Sequence, residues 1–276
     1  MRALFAALVA VCACVGQASA ATLVGRWDFE DTLEPTVGTG SLLPADPPQY
    51  EHITINGVEG HSVSWVQGTP AGGDEQFFTV PNPIGGNGGG TFTNQYSVVM
   101  DVKFDAPGPT GGFTSLAQTA AEPNGNDGDW FLRGDGGMGI SSDYTDAGND
   151  VRFPYGEFVR VAWVVDTTTP AGGIGTLYRT YINGQLQNIV QSPGGWGVDG
   201  RHSLGDVFHV FADEDGETNA GEISTLMLFD GALSPQEVAA LGGPQATVPE
   251  PSAACVIAAA GALALRRRRG RPSRRG

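Results

Sequence analysis

The chain has 276 residues, with 30 Asp and Glu against 15 Lys and Arg and a formal net charge of −15. Seven of the basic residues lie in the last eleven positions, so from Ala21 to Pro249 seven basic residues face 29 acidic ones, a balance of −22. A surface of that sign repels phosphate backbones and anionic lipid, which argues against a nucleic-acid partner and leaves cations as plausible ones.

Met1-Arg2, the apolar run 3–15 and then Ala18-Ser19-Ala20 have the charged start, short hydrophobic stretch and small-residue cleavage site of a secretory signal peptide. Residues 1–20 are therefore read as a leader for the Sec export machinery, with cleavage after Ala20; acylation at Cys14 is the alternative. Cys12, Cys14 and Cys255 all fall in terminal segments, so the middle of the chain carries no disulfide. A domain of its size has a core large enough to need none.

From residue 21 onward, short apolar or alternating runs recur between Gly, Asn, Asp and Pro, the pattern of an all-β chain. The expected strands are 22–29, 52–55, 62–66, 76–80, 96–104, 113–117, 129–132, 139–142, 158–166, 176–182, 187–191, 207–211 and 223–229. Asn183-Gly184 separates two of these runs and predicts a type I′ hairpin, because both residues tolerate positive φ. Ser234-Pro235-Gln236-Glu237 supplies an N-cap, a proline at the first helical position and a capping-box glutamate. One short helix is expected there, stopped by Gly242.

The end of the chain reads Pro249-Glu250-Pro251, an apolar stretch 253–265, then Arg266, Arg267, Arg268 and Arg269. This order closely resembles the PEP-CTERM sorting signal of Gram-negative envelope proteins. The resemblance implies an exosortase-type processing enzyme as a partner, with membrane contact only through the tail before processing, and a location at the cell envelope, cell surface or outside the cell. The apolar run is shorter than the about 20 residues of a relaxed membrane span, so its arginines must snorkel or the bilayer must thin. The expected organisation is a leader (1–20), one domain (21–244) and a sorting segment (245–276).

Within the domain, residues 156–166 followed by Thr180-Tyr181-Ile182-Asn183-Gly184, and residues 221–230 leading into Ala232-Leu233-Ser234-Pro235-Gln236-Glu237-Val238, resemble successive blocks of the LamG-like, concanavalin A-like jelly roll. Phe158 stands where that family usually has Trp. The resemblance implies two curved antiparallel sheets packed face to face, an all-β sandwich with one short helix near the domain end. The same fold carries lectins, adhesins, calcium-dependent receptors and glycosidases, so it selects no single function.

Asp213, Asp215 and Asn219 lie in an oxygen-rich run suited to a hard cation, which makes calcium the candidate cofactor. The same run read as a strand would align Asp213, Asp215 and Glu217 as a hydrolytic carboxylate set, but Gly216 and Thr218-Asn219 point to a turn. Trp196, in the Gly-rich loop 193–200, is the candidate sugar-stacking residue, whereas Trp27 and Trp163 sit in alternating strands and are expected in the core. His52, His61, His202 and His209 show no zinc-ligand spacing. No nucleophile elbow or phosphate loop is present, so no catalytic residue is assigned. The expected function is non-enzymatic binding of a polysaccharide or matrix ligand, or adhesion. A structural matrix component without a defined ligand is the first alternative, and a glycoside hydrolase or lyase the second.

Overall fold

The computed structural model describes residues 20–65, 78–120, 128–140, 144, 150–168, 177–191, 197–213 and 216–246. The leader, the sorting motif Pro249-Glu250-Pro251, the arginines Arg266 to Arg269, and both Trp196 and Asp215 lie outside the described residues.

The described strands build two antiparallel sheets. The larger runs β12 (Gln185–Gln191), β11 (Leu177–Ile182), β10 (Val159–Asp166), β6 (Gln95–Lys103), β14 (Gly221–Phe229), β4 (Val58–Trp65), β3 (Gln49–Ile55). Here β1 (Leu23–Trp27) pairs the C-terminal half of β14, while β4 takes its N-terminal residues. The smaller sheet runs β2 (Leu43–Pro44), β5 (Phe78–Pro81), β13 (Val207–Val210), β7 (Thr114–Gln118), β8 (Asp129–Leu132), β9 (Met138–Gly139). Helix α1 (Pro235–Leu241) follows β14.

Alternation sorts the side chains. One apolar set, including Trp27, Val63, Trp130, Trp163, Phe208 and Leu226, is buried between the sheets. Trp130 and Trp163 stack at 5.6 Å, and Tyr96 meets Trp163 edge-on at 5.6 Å, so the two sheets interlock through aromatic rings. Trp27 and Trp163 are fully buried, as their alternating strands lead one to expect. A second set, including Val99, Val164, Tyr181 and Met227, points away from that core and is covered by α1 through Val238. The larger sheet thus buries part of both faces.

Two turns show how local chemistry sets register. At Asn183-Gly184 both residues have positive φ, 49° and 78°, and join β11 to β12 as a tight hairpin. Asn56-Gly57 repeats the device between β3 and β4, with φ of 52° and 81°. Helix α1 carries both capping-box bonds, Glu237 N–H to Ser234 Oγ (3.2 Å) and Ser234 N–H to Glu237 Oε2 (2.7 Å).

The chain leaves the helix as a strap across the outer face of the larger sheet. Arg160 on β10 grips Asp101 on β6 with two bonds of 2.7 and 2.6 Å, and also donates to the Leu241 carbonyl. Gln245 N–H donates to Asp101 Oδ2 (3.2 Å) and Asn56 Nδ2 to the Pro244 carbonyl (2.9 Å). Burial outweighs the guanidinium beside it and raises the pKa of Asp101. The pair therefore fixes the position of the strap rather than adding net stability.

Candidate functional site

The outer face of the larger sheet, beyond the strap, carries two adjoining grooves of about 630 and 400 Å³ that share Ser64, Lys103 and Glu222. Their floor follows from strand alternation. Val63 and Trp65 of β4 point into the core, so Ser62 and Ser64 point outward, and the cross-strand register puts Gln49 and Glu222 beside Ser64 and Lys103 beside Glu222.

Polar bonds lock this floor. Lys103 Nζ donates to Glu222 Oε1 (2.8 Å), Ser62 Oγ to Glu222 Oε2 (3.1 Å), and Ser64 Oγ to Glu51 Oε1 (3.3 Å). The Lys103 ammonium is held above its ordinary pKa by its bond to Glu222, with Asp105 adding to the attraction. Half-buried Phe158 lines the larger groove and gives an otherwise polar trough one aromatic surface. Trp65 lines the smaller, its indole N–H donating to the Asn219 carbonyl (2.7 Å) while its ring stacks on Phe211 at 4.2 Å.

Two of the cation candidates, Asp213 and Asn219, lie among the described residues. Asp213 is 4% exposed, and its Oδ2 accepts the Glu217 N–H at 2.7 Å. Asn219 lines the smaller groove and donates from Nδ2 to the Ala106 carbonyl (2.7 Å). Both side chains thus make hydrogen bonds that hold loops in place. Among the described residues no three His, Cys, Asp or Glu side chains are grouped to hold a metal ion.

A second polar row, unread in the sequence, lies on the smaller sheet and is largely buried. Thr79, His209, Gln118 and Asp129 stand side by side in register across β5, β13, β7 and β8. Thr79 Oγ1 is 3.2 Å from His209 Nδ1, and Arg201 reaches Asp129 at 3.4 Å. The Arg133 guanidinium lies 5.3 Å over the Tyr144 ring. Burial, with the Glu217 and Asp129 carboxylates nearby, raises the Tyr144 pKa well above a phenol's usual value. The row is invisible in the linear chain because its members lie in four strands. His209, Gln118 and Asp129 are each at most 7% exposed.

No family model matches the chain, and no curated protein matches it. Solved structures do. The binding domain of Paraclostridial Mosquitocidal Protein 1 superposes over 79% of this chain and 51% of that one, with a TM-score of 0.51 at 11% identity. The botulinum neurotoxin serotype G binding domain superposes over 79% of this chain and 50% of that one, with a TM-score of 0.50 at 11% identity. Domain 4 of AbnA, a GH43 extracellular arabinanase from Geobacillus stearothermophilus in complex with arabinotriose, aligns over 81% of this chain and 99% of that one. Its identity is 18% and its TM-score 0.49. The chain spans about half the length of the two toxin binding domains. The likeness to the two toxin binding domains is one of fold, an all-β sandwich.

Proposed function

We propose that the domain is a non-enzymatic carbohydrate-binding module of an exported envelope or matrix protein, and that the ligand lies in the groove over β3, β4, β14 and β6. The observation that carries this reading is the pre-formed polar floor of Ser64, Glu51, Lys103 and Glu222 beside the half-buried Phe158 ring. Sugars present hydroxyls on their edges and apolar C–H faces, so they need convergent donors and acceptors with an aromatic surface; groove volumes of this size suit a short oligosaccharide. The domain's net negative charge favours a neutral glycan over an acidic one. The two carboxylates of the groove floor are bound, Glu222 to Lys103 and Ser62 and Glu51 to Ser64, which suits binding better than acid–base turnover.

The test is a glycan array with the purified chain. Capture of a neutral glycan that is lost in Phe158→Ala and weakened in Glu51→Gln supports the groove. If Phe158→Ala binds as well as wild type while Trp196→Ala does not, the ligand sits at the 193–200 loop instead. No capture by any glycan favours a structural matrix role.

Export, exosortase-type processing at Pro249-Glu250-Pro251 and calcium-assisted adhesion through Asp213, Asp215 and Asn219 belong to the same proposal. They rest on the terminal motifs and the acidic composition. An enzyme on this fold is the second reading, and the row of Thr79, His209, Gln118 and Asp129 with Tyr144 nearby is the observation that favours it. Polysaccharide cleavage that disappears in His209→Ala would establish it.

A further inference from the structure

We propose that His52 and His61 form a two-imidazole chelate for a divalent transition-metal ion of the zinc, nickel or copper kind, on the edge hairpin β3–β4. The two residues are nine positions apart in sequence, but the hairpin register places them directly opposite each other. Their rings lie 4.3 Å apart at 53°. Tetrahedral zinc holds two imidazole nitrogens about 3.3 Å apart, with Zn–N of about 2.0–2.1 Å. His52, which is exposed, is the ring that would turn to share one ion with His61.

The second observation is how His61 is held. Glu30 Oε1 accepts the His61 backbone N–H (3.1 Å) and Glu30 Oε2 lies 2.8 Å from His61 Nδ1. A carboxylate only accepts here, so Nδ1 carries a proton, and in the neutral imidazole Nε2 is then the nitrogen with the lone pair. A carboxylate behind one ring nitrogen, fixing the tautomer and freeing the other, is the arrangement that orients histidine toward a metal. The backbone around Glu30 is unusual: Phe29 and Asp31 both have positive φ, 55° and 56°. For a bulky residue such as Phe this is costly, and it persists because Phe29 is fully buried against Phe78 at 5.7 Å. The turn delivers Glu30 to His61 and leaves Asp31, with Oδ2 3.9 Å from Nδ1, as a further negative charge favouring a cation.

His52 is exposed, and its ring contact with His61 is its one side-chain interaction among the described residues. Imidazole nitrogens prefer zinc, nickel and copper to calcium, and water would complete the coordination sphere. On β3, Tyr50 and His52 alternate with Glu51, so the imidazole pair and the Glu51 side chain leave opposite faces of the strand, although His52 also borders the larger groove.

The test is titration calorimetry of the chelator-stripped full chain with zinc chloride and nickel chloride. The measurement is repeated in a Cys12→Ser, Cys14→Ser, Cys255→Ser background to remove all three thiols of the chain. The expected result is one ion per chain, weakened about tenfold or more in His52→Gln and in His61→Gln, and about 10–100-fold in Glu30→Gln. With copper(II), electron paramagnetic resonance should show coupling to two imidazole nitrogens in wild type and to one in His52→Gln. Should His61→Gln fail to fold, exposed His52→Gln carries the comparison, and protection of His52 from diethyl pyrocarbonate by zinc gives a readout without any variant. No binding at micromolar metal, or affinity unchanged in His52→Gln, overturns the proposal.

Discussion

Single side chains do unequal amounts of structural work here, and Asn94 does the most. Its Oδ1 accepts from Asp199 N–H (2.7 Å), Thr167 Oγ1 (2.8 Å) and Ser203 Oγ (2.7 Å), and its Nδ2 reaches the Asn87 and Phe92 carbonyls at 3.0 and 2.9 Å. Three loops meet on one fully buried amide. Asn94→Ala should therefore cost about 3 kcal/mol, because it strands several buried partners at once, and chemical denaturation measures it. His202 is also fully buried, packed 4.5 Å from Tyr178, and burial pushes its pKa down to about 3. The unfolded chain takes a proton there below its ordinary value of 6.5, whereas the folded chain resists until about 3. Stability should thus fall as pH drops from 6.5 toward 3, by about 1.4 kcal/mol per pH unit from this group. Denaturant titrations at pH 7, 5 and 4 should show the slope, and His202→Gln should remove that share of it. Neither role is legible in the sequence, since an Asn beside a strand and a scattered His look ordinary until their neighbours are known.

At the scale of elements, the two Asn-Gly hairpins make a controlled pair. Both glycines have positive φ, but a Cβ at Gly57 would meet nothing within 4 Å, whereas one at Gly184 would come within 3.2 Å of Ala239 Cα in α1. Gly57→Ala should cost about 1 kcal/mol of backbone strain alone, and Gly184→Ala clearly more because the helix must also shift; thermal unfolding of the two variants compares them. The Asn183-Gly184 turn was readable because long apolar runs flank it. Asn56-Gly57 carries the same dipeptide and was passed over: β3 reads Gln-Tyr-Glu-His before its apolar end, which hides a strand that starts at Gln49 rather than 52. The two-residue strands β2 and β9 left too little pattern to predict. The helix was legible to the residue, because capping is a local interaction between Ser234 and Glu237.

For the whole molecule, the strap after α1 joins the fold to the tail. Arg160 sits on Asp101 beneath residues 241–245, so Asp101→Asn should leave a buried guanidinium uncompensated and cost about 3 kcal/mol by denaturant unfolding. The calcium proposal is tested by thermal unfolding of the full chain in calcium and in excess chelator. A ligand that binds only the folded state raises the midpoint, and that rise should vanish in Asp213→Ala. The comparison must be of the calcium-dependent difference, since losing the Asp213 bond to Glu217 N–H destabilises the loop by itself. Intact-mass measurement of the protein recovered from its host should show loss of residues 1–20 and of the segment beyond the Pro249-Glu250-Pro251 motif; a full-length mass would refute both processing readings.

What the sequence by itself determined is whatever depends on near neighbours: the all-β class from period-two alternation, the 183–184 hairpin, the capped helix, and burial of Trp27 and Trp163 from their place in alternating strands. What only the tertiary structure decided is every juxtaposition across strands. The groove floor joins Glu51, Ser64, Lys103 and Glu222 from four strands, and the His52–His61 pair exists only because one hairpin register sets them opposite. Asp213 and Asn219, neighbours in the linear run, each make a hydrogen bond that the run does not show, Asp213 with the Glu217 N–H and Asn219 with the Ala106 carbonyl. Strand pairing is set by the burial of whole faces, a property of the sheet rather than of any short segment, so residues that share a site need share no pattern in the chain.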